Sequence, residues 1–308
     1  MERKIAFIGF GEAAQAFVRA GTACAYDLKT CAPSTREAKL ADYAREAVLG
    51  CATPSDALNG ADAVLSLVTA DQALAAARDY AGMLSPGAIW FDMNSVAPDT
   101  KRAAARAIEA AGGRYVDVAI LAPVHPQRLA VPVLVSGPHA DVGAATLSAL
   151  GFTTVSIVPG EIGAASAIKM IRSVMVKGLE ALTTECVLAA EAAGVRAEVI
   201  ASLNASWPGT DWAEKATYNL DRMIVHGLRR AAEMEEAVKT LDALGTGSAM
   251  TRATVERQRA IGALRLTPPV GLAARISAVT HPTLPRAQVT PRVYPTKPPL
   301  LPGRRNKS

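Results

Sequence analysis

The chain has 308 residues, 50% of them hydrophobic, 20% charged and only 5% aromatic, which is enough apolar material for one or two ordinary cores and excludes disorder along its whole length. No stretch approaches the roughly 18 unbroken apolar residues of a membrane span, and MERKIAFIGFGEAAQ has neither the h-region nor the cleavage site of a secretory signal, so the expected compartment is the cytoplasm. The net charge of +5 belongs to the tail: from Thr267 onward there are seven Lys or Arg and no acid, which leaves residues 1–266 at −2 and argues against a nucleic-acid partner for the body. Cys24, Cys31, Cys51 and Cys186 follow no ligand spacing and predict neither a disulfide framework nor a metal site.

From Lys4 to about Pro159, short apolar runs alternate with Ala-rich helical stretches. The runs are KIAFIGF, ACAYD, AVLGCA, DAVLSLV, AIWFD, RYVDVAI, VPVLVSG and FTTVSIV, each of the kind found in strands buried on both faces. Strand–helix alternation of this type predicts crossover units and a doubly wound parallel sheet over residues 1–160. After Gly160 the texture changes. Glu161 to Gly194 contains no proline and would span roughly 50 Å as a helix. Further helices are expected over 197–205, 211–244, with a break allowed in it, and 248–264, so residues 161–266 read as an all-helical domain. Residues 267–308 hold nine of the 19 prolines and read as an irregular basic tail.

The first run enters Gly9-Phe10-Gly11-Glu12-Ala13-Ala14 just before a helical pattern begins. In such a GxGxxA turn, Gly9 permits the tight bend, Gly11 lets the backbone approach a pyrophosphate, and Ala14 allows close packing of helix on strand. The second run ends in Asp27, whose carboxylate could accept both ribose hydroxyls of an adenosine and repel a 2′-phosphate. The cofactor is therefore expected to be NAD, with Lys29 and Arg36 leaving NADP open. The bland alternative is a tight turn followed by a surface charge.

With these residues the chain resembles the β-hydroxyacid dehydrogenases, which include 6-phosphogluconate and 3-hydroxyisobutyrate dehydrogenases. The resemblance covers roughly residues 4–265 and lies nearest the phosphogluconate-dehydrogenase-like branch. It implies an N-terminal Rossmann domain, a long linking helix that carries a catalytic lysine, and a helical second domain. It also implies that Asn94 and Ser95, at the end of AIWFD, face the nicotinamide, and that Val68 and Thr69 lie beside the phosphates. The family's substrate-anchoring stretch is Asp-Ala-Pro-Val-Ser-Gly-Gly. Here Asp117-Val118-Ala119-Ile120-Leu121-Ala122-Pro123 keeps the aspartate and loses the serine and glycines, with His125 a candidate replacement.

In the linking helix, Lys169 matches the catalytic lysine, and Arg172 and Ser173 stand three and four residues beyond it. Spacings of three and four place all three on one face, where they could bind and protonate an oxyanion. Lys169 would be the general acid/base, with its pKa lowered by burial and by a cation such as Arg172. The same arithmetic gives His226, Arg229, Arg230 and Glu233 a common face. Arg229 and Arg230 are candidate substrate ligands, and a solvated charged stripe is the plain alternative.

The resulting expectation is an oxidoreductase acting on a small anionic hydroxy acid or its carbonyl form, assembled as a homodimer through the helical domain. Reduction of a C=N bond is the enzymatic alternative. A non-catalytic dinucleotide-binding scaffold is the alternative from another class, which a retained lysine argues against.

Overall fold

The computed structural model describes residues 4–18 and 23–282. All eight apolar runs form strands. In chain order the elements of the first half are β1 (Ile5–Ile8), α1 (Glu12–Phe17), β2 (Ala23–Tyr26), α2 (Pro33–Arg45), β3 (Leu49–Gly50), α3 (Pro54–Leu58), β4 (Ala63–Ser66) and α4 (Ala73–Tyr80). They continue with β5 (Ile89–Asp92), α5 (Pro98–Ala110), β6 (Arg114–Ile120), β7 (Val133–Ser136), α6 (Ala140–Ala149) and β8 (Val155–Ile157).

The strands make one sheet in the order β3-β2-β1-β4-β5-β6-β7-β8. The chain winds outward from β1 to β3, then returns to the other side of β1 at β4, which creates a switch point at the carboxyl ends of β1 and β4. One pairing departs from the expected all-parallel sheet: β6 and β7 run antiparallel. The segment between them is a loop whose one 3-10 turn, Arg128–Ala130, replaces the crossover helix that joins parallel neighbours, so the chain turns back along β6. Apolar clusters fill both faces of the sheet. One is built around Phe7, Phe10, Phe91 and Val118, the other around Ile8, Trp90, Ile108 and Tyr115.

The second half is helical: α7 (Ala164–Ala192), α8 (Arg196–Ser206), α9 (Trp212–Leu244), α10 (Ala249–Ala263) and α11 (Leu272–Thr280). With 29 residues, α7 is about 44 Å long. The allowed break in 211–244 does not occur. Asp211 caps the start of α9 by accepting from the backbone N–H groups of Ala213 and Glu214 at 2.9 and 3.1 Å. At the other end Gly245 adopts φ +68°, the left-handed conformation that stops a helix.

Contrary to expectation, the tail is not irregular throughout. Within the stretch expected to be irregular, α11 packs on α9, with Ile276 buried at 1% exposure and Arg275 Nη2 2.9 Å from Asp221 Oδ1. Nine proline-free residues between Gly271 and His281 carry this helix. The prolines that suggested irregularity flank it at Pro268, Pro269 and Pro282, and the basic residues from Arg286 onward lie outside the described residues. Among the described residues no helix is long and apolar enough to cross a membrane.

Candidate active site

The glycine turn sits at the switch point. Gly9 has φ +84°, and a Cβ there would lie 2.5 Å from the Leu67 carbonyl oxygen, so only glycine fits between β1 and the end of β4. A Cβ on Gly11 would meet nothing within 4 Å, which leaves open space above the turn where a diphosphate would lie. Phe10 contributes its backbone alone, because its ring is buried 5.1 Å from that of Tyr43. Its N–H donates to Asp27 Oδ2 at 2.7 Å, and its carbonyl accepts from Lys39 Nζ at 2.6 Å. Asp27 Oδ1 also accepts the Lys29 N–H at 2.9 Å. Asp27 thus braces the turn, and each oxygen keeps a lone pair for a ribose hydroxyl. Ala14 is fully buried under the sheet edge, Ala13 is half-buried, and Glu12 is exposed in the first turn of α1. The open cradle, the braced turn and the acidic end of β2 fit a dinucleotide.

The next two loops present less to a ligand than the sequence suggests. Asn94 is buried, and its side chain is spent on protein: Oδ1 accepts the Val68 N–H at 2.8 Å, while Nδ2 donates to Asp92 Oδ1 at 2.7 Å and Ser66 Oγ at 3.1 Å. It shapes the Val68–Thr69 turn. Thr69 is exposed at the start of a 3-10 turn, and Ser95 is half-buried before α5.

Lys169 projects from the second turn of α7 into a group of charges supplied by three helices. Lys177, two turns on, donates to Ser173 Oγ at 3.0 Å and lies 3.0 Å from Glu233 Oε2 of α9. Arg229 reaches Glu233 Oε1 at 3.4 Å. Lys169 itself makes no side-chain hydrogen bond or ion pair with a described residue. Desolvation pushes its ammonium down to about 7; the Glu233 carboxylate opposes the shift, and Lys177, Lys101 and Arg229 reinforce it. Burial alone would raise Glu233, but Lys177, Arg229 and Lys169 together hold it at about 2. The cluster therefore carries a fixed carboxylate and a lysine poised near neutrality.

Three expected ligands stand elsewhere. Arg172 is exposed and is not among the cations acting on Lys169. At about 100° per residue, Ser173 lies 40° to one side of Lys169 and Arg172 about 60° to the other, so the helix turns the guanidinium out of the cleft. Arg230 is buried and faces away from Arg229. Its Nε donates to Glu180 Oε2 at 2.9 Å, its Nη2 bonds Glu180 Oε1, and Gln258 Nε2 closes the same carboxylate at 2.8 Å. That fork holds α7, α9 and α10 together and is not available to a substrate. Adjacent residues on a helix cannot both face one cleft. His125 is exposed in the loop after β6, with no hydrogen-bond partner among the described residues.

His226, on α9, is half-buried: burial, Arg222 and Arg229 lower its pKa, and Glu12 opposes them. Beside His226 and Arg229 opens a groove of about 470 Å³ that continues to Gly262, Arg265 and Pro268. Farther along α9, buried Glu236 accepts the Ala97 N–H at 2.8 Å and the Thr100 hydroxyl at 3.3 Å, fastening the helical domain to the start of α5.

Sequence reasoning missed Lys177, Lys101 and Asp92. Lys177 carried a usable signal, since it repeats the Lys169–Ser173 spacing one more turn along the same face. The other two are strand-edge and helix residues whose partners are set by the sheet register.

Residues 4–150 match the family described as the NAD binding domain of 6-phosphogluconate dehydrogenase, and residues 190–261 match a domain of unknown function, DUF1932. A conserved hypothetical protein from Sinorhizobium meliloti 1021 is 39% identical, with 91% of this chain and 96% of that one covered and a TM-score of 0.68. A conserved protein of unknown function, described as structurally similar to 3-hydroxyacid dehydrogenases, is 30% identical over 84% of this chain and 99% of its own, with a TM-score of 0.61. The fold recurs in Mycobacterium tuberculosis 3-hydroxyisobutyrate dehydrogenase with L-serine, at 17% identity, 91% and 99% coverage and a TM-score of 0.68.

Proposed function

The chain belongs to the β-hydroxyacid dehydrogenase superfamily and binds NAD(P), and we propose that it oxidises a small anionic hydroxy acid, or reduces the matching carbonyl, with Lys169 as general acid/base. The observation that carries this reading is the placement of Lys169 on the α7 face it shares with Ser173 and Lys177, without an ion-pair partner of its own among the described residues, beside the Glu233–Lys177–Arg229 cluster, where burial lowers its pKa to about 7. Gly9, Phe10, Gly11, Ala13, Ala14, Asp27, Val68 and Thr69 would hold the adenosine and diphosphate, and Asn94 and Ser95 would shape the nicotinamide side. Bound nicotinamide supplies the hydride acceptor or donor.

The task left to the chain is the proton. Neutral Lys169 Nζ takes the hydroxyl proton as the alcohol becomes a carbonyl, and the ammonium returns it in the reverse direction. Because Lys177 Nζ occupies an acceptor position on Ser173 Oγ, the serine O–H is left to donate to the same substrate oxygen. Arg229, half exposed beside the groove with His226 and Arg265, supports an anionic substrate, since a guanidinium fork suits a carboxylate or phosphate.

Imine reduction is the second reading. It is favoured by the loss of the serine–glycine anchor together with the burial of Asp117, whose Oδ2 is taken up by Ser136, Gly163 and Ser166. A panel of hydroxy acids, keto acids and imines, followed by the absorbance of reduced nicotinamide, separates the two; no turnover of any member would count against both. A homodimer remains part of the proposal, supported by the exposed stripe Ile168, Ile171, Met175 and Leu182 on α7. A monomer in sedimentation at micromolar concentration would remove it.

A further inference from the structure

The sheet register lines up four buried polar residues across adjacent strands. Ser66 of β4 pairs with Asp92 of β5, Asp92 with Asp117 of β6, and Asp117 with Ser136 of β7. All four are buried at no more than 1% exposure. A polar row inside a sheet is costly unless every member is bonded, and here the bonding runs in two directions.

Toward the cofactor side, Asp92 Oδ1 accepts the Asn94 N–H at 3.0 Å and Asn94 Nδ2 at 2.7 Å, and Asn94 in turn holds the Val68 amide. Toward the helical side, Asp117 Oδ2 accepts the Gly163 N–H at 3.0 Å and the Ser166 N–H at 3.1 Å, and Ser136 Oγ accepts the Ala165 N–H at 3.0 Å. These are orphan donors at the start of α7, the helix that carries Lys169. Gly163 has φ +104°, and a Cβ there would lie 2.9 Å from the Pro98 Cβ, so the first turn of α7 is also pressed onto α5.

One side chain joins the two directions. Lys101 of α5 has no exposed surface, and its Nζ donates to the Asp92 carbonyl oxygen at 2.5 Å, to Asp92 Oδ1 at 3.0 Å and to the Val118 carbonyl oxygen at 3.3 Å, with Asp117 Oδ1 at 3.5 Å. Asp92 Oδ2 is closed by the Tyr115 hydroxyl at 2.7 Å. Two buried carboxylates that flank one ammonium repel each other, and Lys101, hydrogen-bonded to Asp92 and ion-paired with Asp117, offsets that repulsion.

We propose that Lys101 is a positioning residue that locks the Asn94–Val68 turn and the first turn of α7 into one rigid unit, so that the cofactor face and Lys169 keep a fixed relation. This rests on the reading of Lys169 as the proton carrier. It assigns no contact with substrate to Lys101, whose every neighbour is protein. A purely stabilising buried lysine would lower the melting temperature when removed and leave both faces of the site as they were.

The experiment compares the unaltered full chain with Lys101→Met and with the charge-balanced Lys101→Met/Asp117→Asn, which keeps the net charge of the Asp92–Asp117–Lys101 group at −1 should the single variant fail to fold. NADH affinity is read by fluorescence titration. The ionisation of Lys169 is read by trace acetylation with acetic anhydride across pH, quantified by mass spectrometry. The charged groups around Lys169 are Lys177 on its own helix, Lys101 on α5, and Arg229 and Glu233 on α9. Deleting the Lys101 charge alone removes one repulsion and moves the Lys169 midpoint upward whatever the geometry; in the double variant, where a carboxylate leaves with the ammonium, a rise reports loosening of the first turn of α7 and renewed solvation of Lys169.

The expected result in a folded variant is both changes together: an NADH Kd raised about tenfold, the factor that one charge-assisted hydrogen bond represents, and a higher Lys169 midpoint. An unchanged Kd, or an unchanged midpoint, in a variant that has lost only thermal stability overturns the proposal. A midpoint near that of an ordinary lysine in the unaltered protein would instead refute the reading of Lys169, while a raised Kd in the variants would still bear on the link through Asn94.

Discussion

The two halves of the site are built in different ways. At the carboxyl edge of the sheet, the ligand surface is mainly backbone: a glycine that alone fits against Leu67, an open cradle above Gly11, and amide groups aimed by Asp27, Lys39 and Asn94. Across the cleft, the surface is side chain, and its charges come from residues far apart in sequence. Lys177 meets Glu233, and Arg230 meets Glu180, through the packing of α7 on α9. A backbone site is written in a few consecutive residues, whereas a side-chain site is written in the crossing of helices.

The largest test of the contrast is on the helical side. Lys169→Met keeps the apolar stem and removes the amine. Turnover should fall by roughly 10²–10⁴-fold with NADH affinity near normal, because the turn that binds the cofactor is untouched. Equal losses in both quantities would mean that the two surfaces are not separable in this way.

Next in size is Glu233→Gln, which breaks the ion pair with Lys177 and leaves that ammonium, at 7% side-chain exposure, without its carboxylate. Stability should fall by about 3 kcal/mol, and the Lys169 midpoint should drop below 7, since Glu233 is the charge that favours its protonated form. Glu233 also sets an acid limit. Its folded pKa of about 2 lies below its ordinary 4.5, so its contribution is complete above about 4.5 and is lost as pH falls toward 2. Unfolding monitored across that window should show a smaller acid loss for the glutamine variant.

Truncation before Pro268 removes α11. Burial of Ile276 alone is worth about 1.5–3 kcal/mol, and the Arg275–Asp221 pair goes with it, so the melting temperature should fall by several degrees. An unchanged transition would show that α11 contributes nothing to the domain.

The smallest expected effect is on the sheet side. Asp27→Ala should weaken NAD binding by about 1–3 kcal/mol and relax discrimination against NADP. Part of that loss is the brace on the Phe10 amide, which differential scanning calorimetry of the cofactor-free protein would register separately.

The same contrast explains what could be read from the sequence. The eight apolar runs became eight strands because each is a local pattern, and GxGxxA with Asp27 is local too. Arg172 and Arg230 were misplaced because spacing gives the face of a helix only to within a third of a turn, while the packing of neighbouring helices decides which edge of that face is buried. Lys101 left no trace in the sequence: a lysine in an amphipathic helix reads as surface, and only the register that places Asp92 beside Asp117 makes an interior cation favourable. α11 was hidden by the prolines on either side of it, which described the tail on average and not its nine proline-free residues.

Lys169 held ready to exchange a proton near neutrality is the feature on which the proposed chemistry turns. Its most direct measurement is the NMR titration of the ε-amine in protein carrying isotope-labelled lysine, with the resonance assigned by its absence from Lys169→Met. The expected midpoint is close to 7. A midpoint near the 10.4 of a solvated lysine would contradict it.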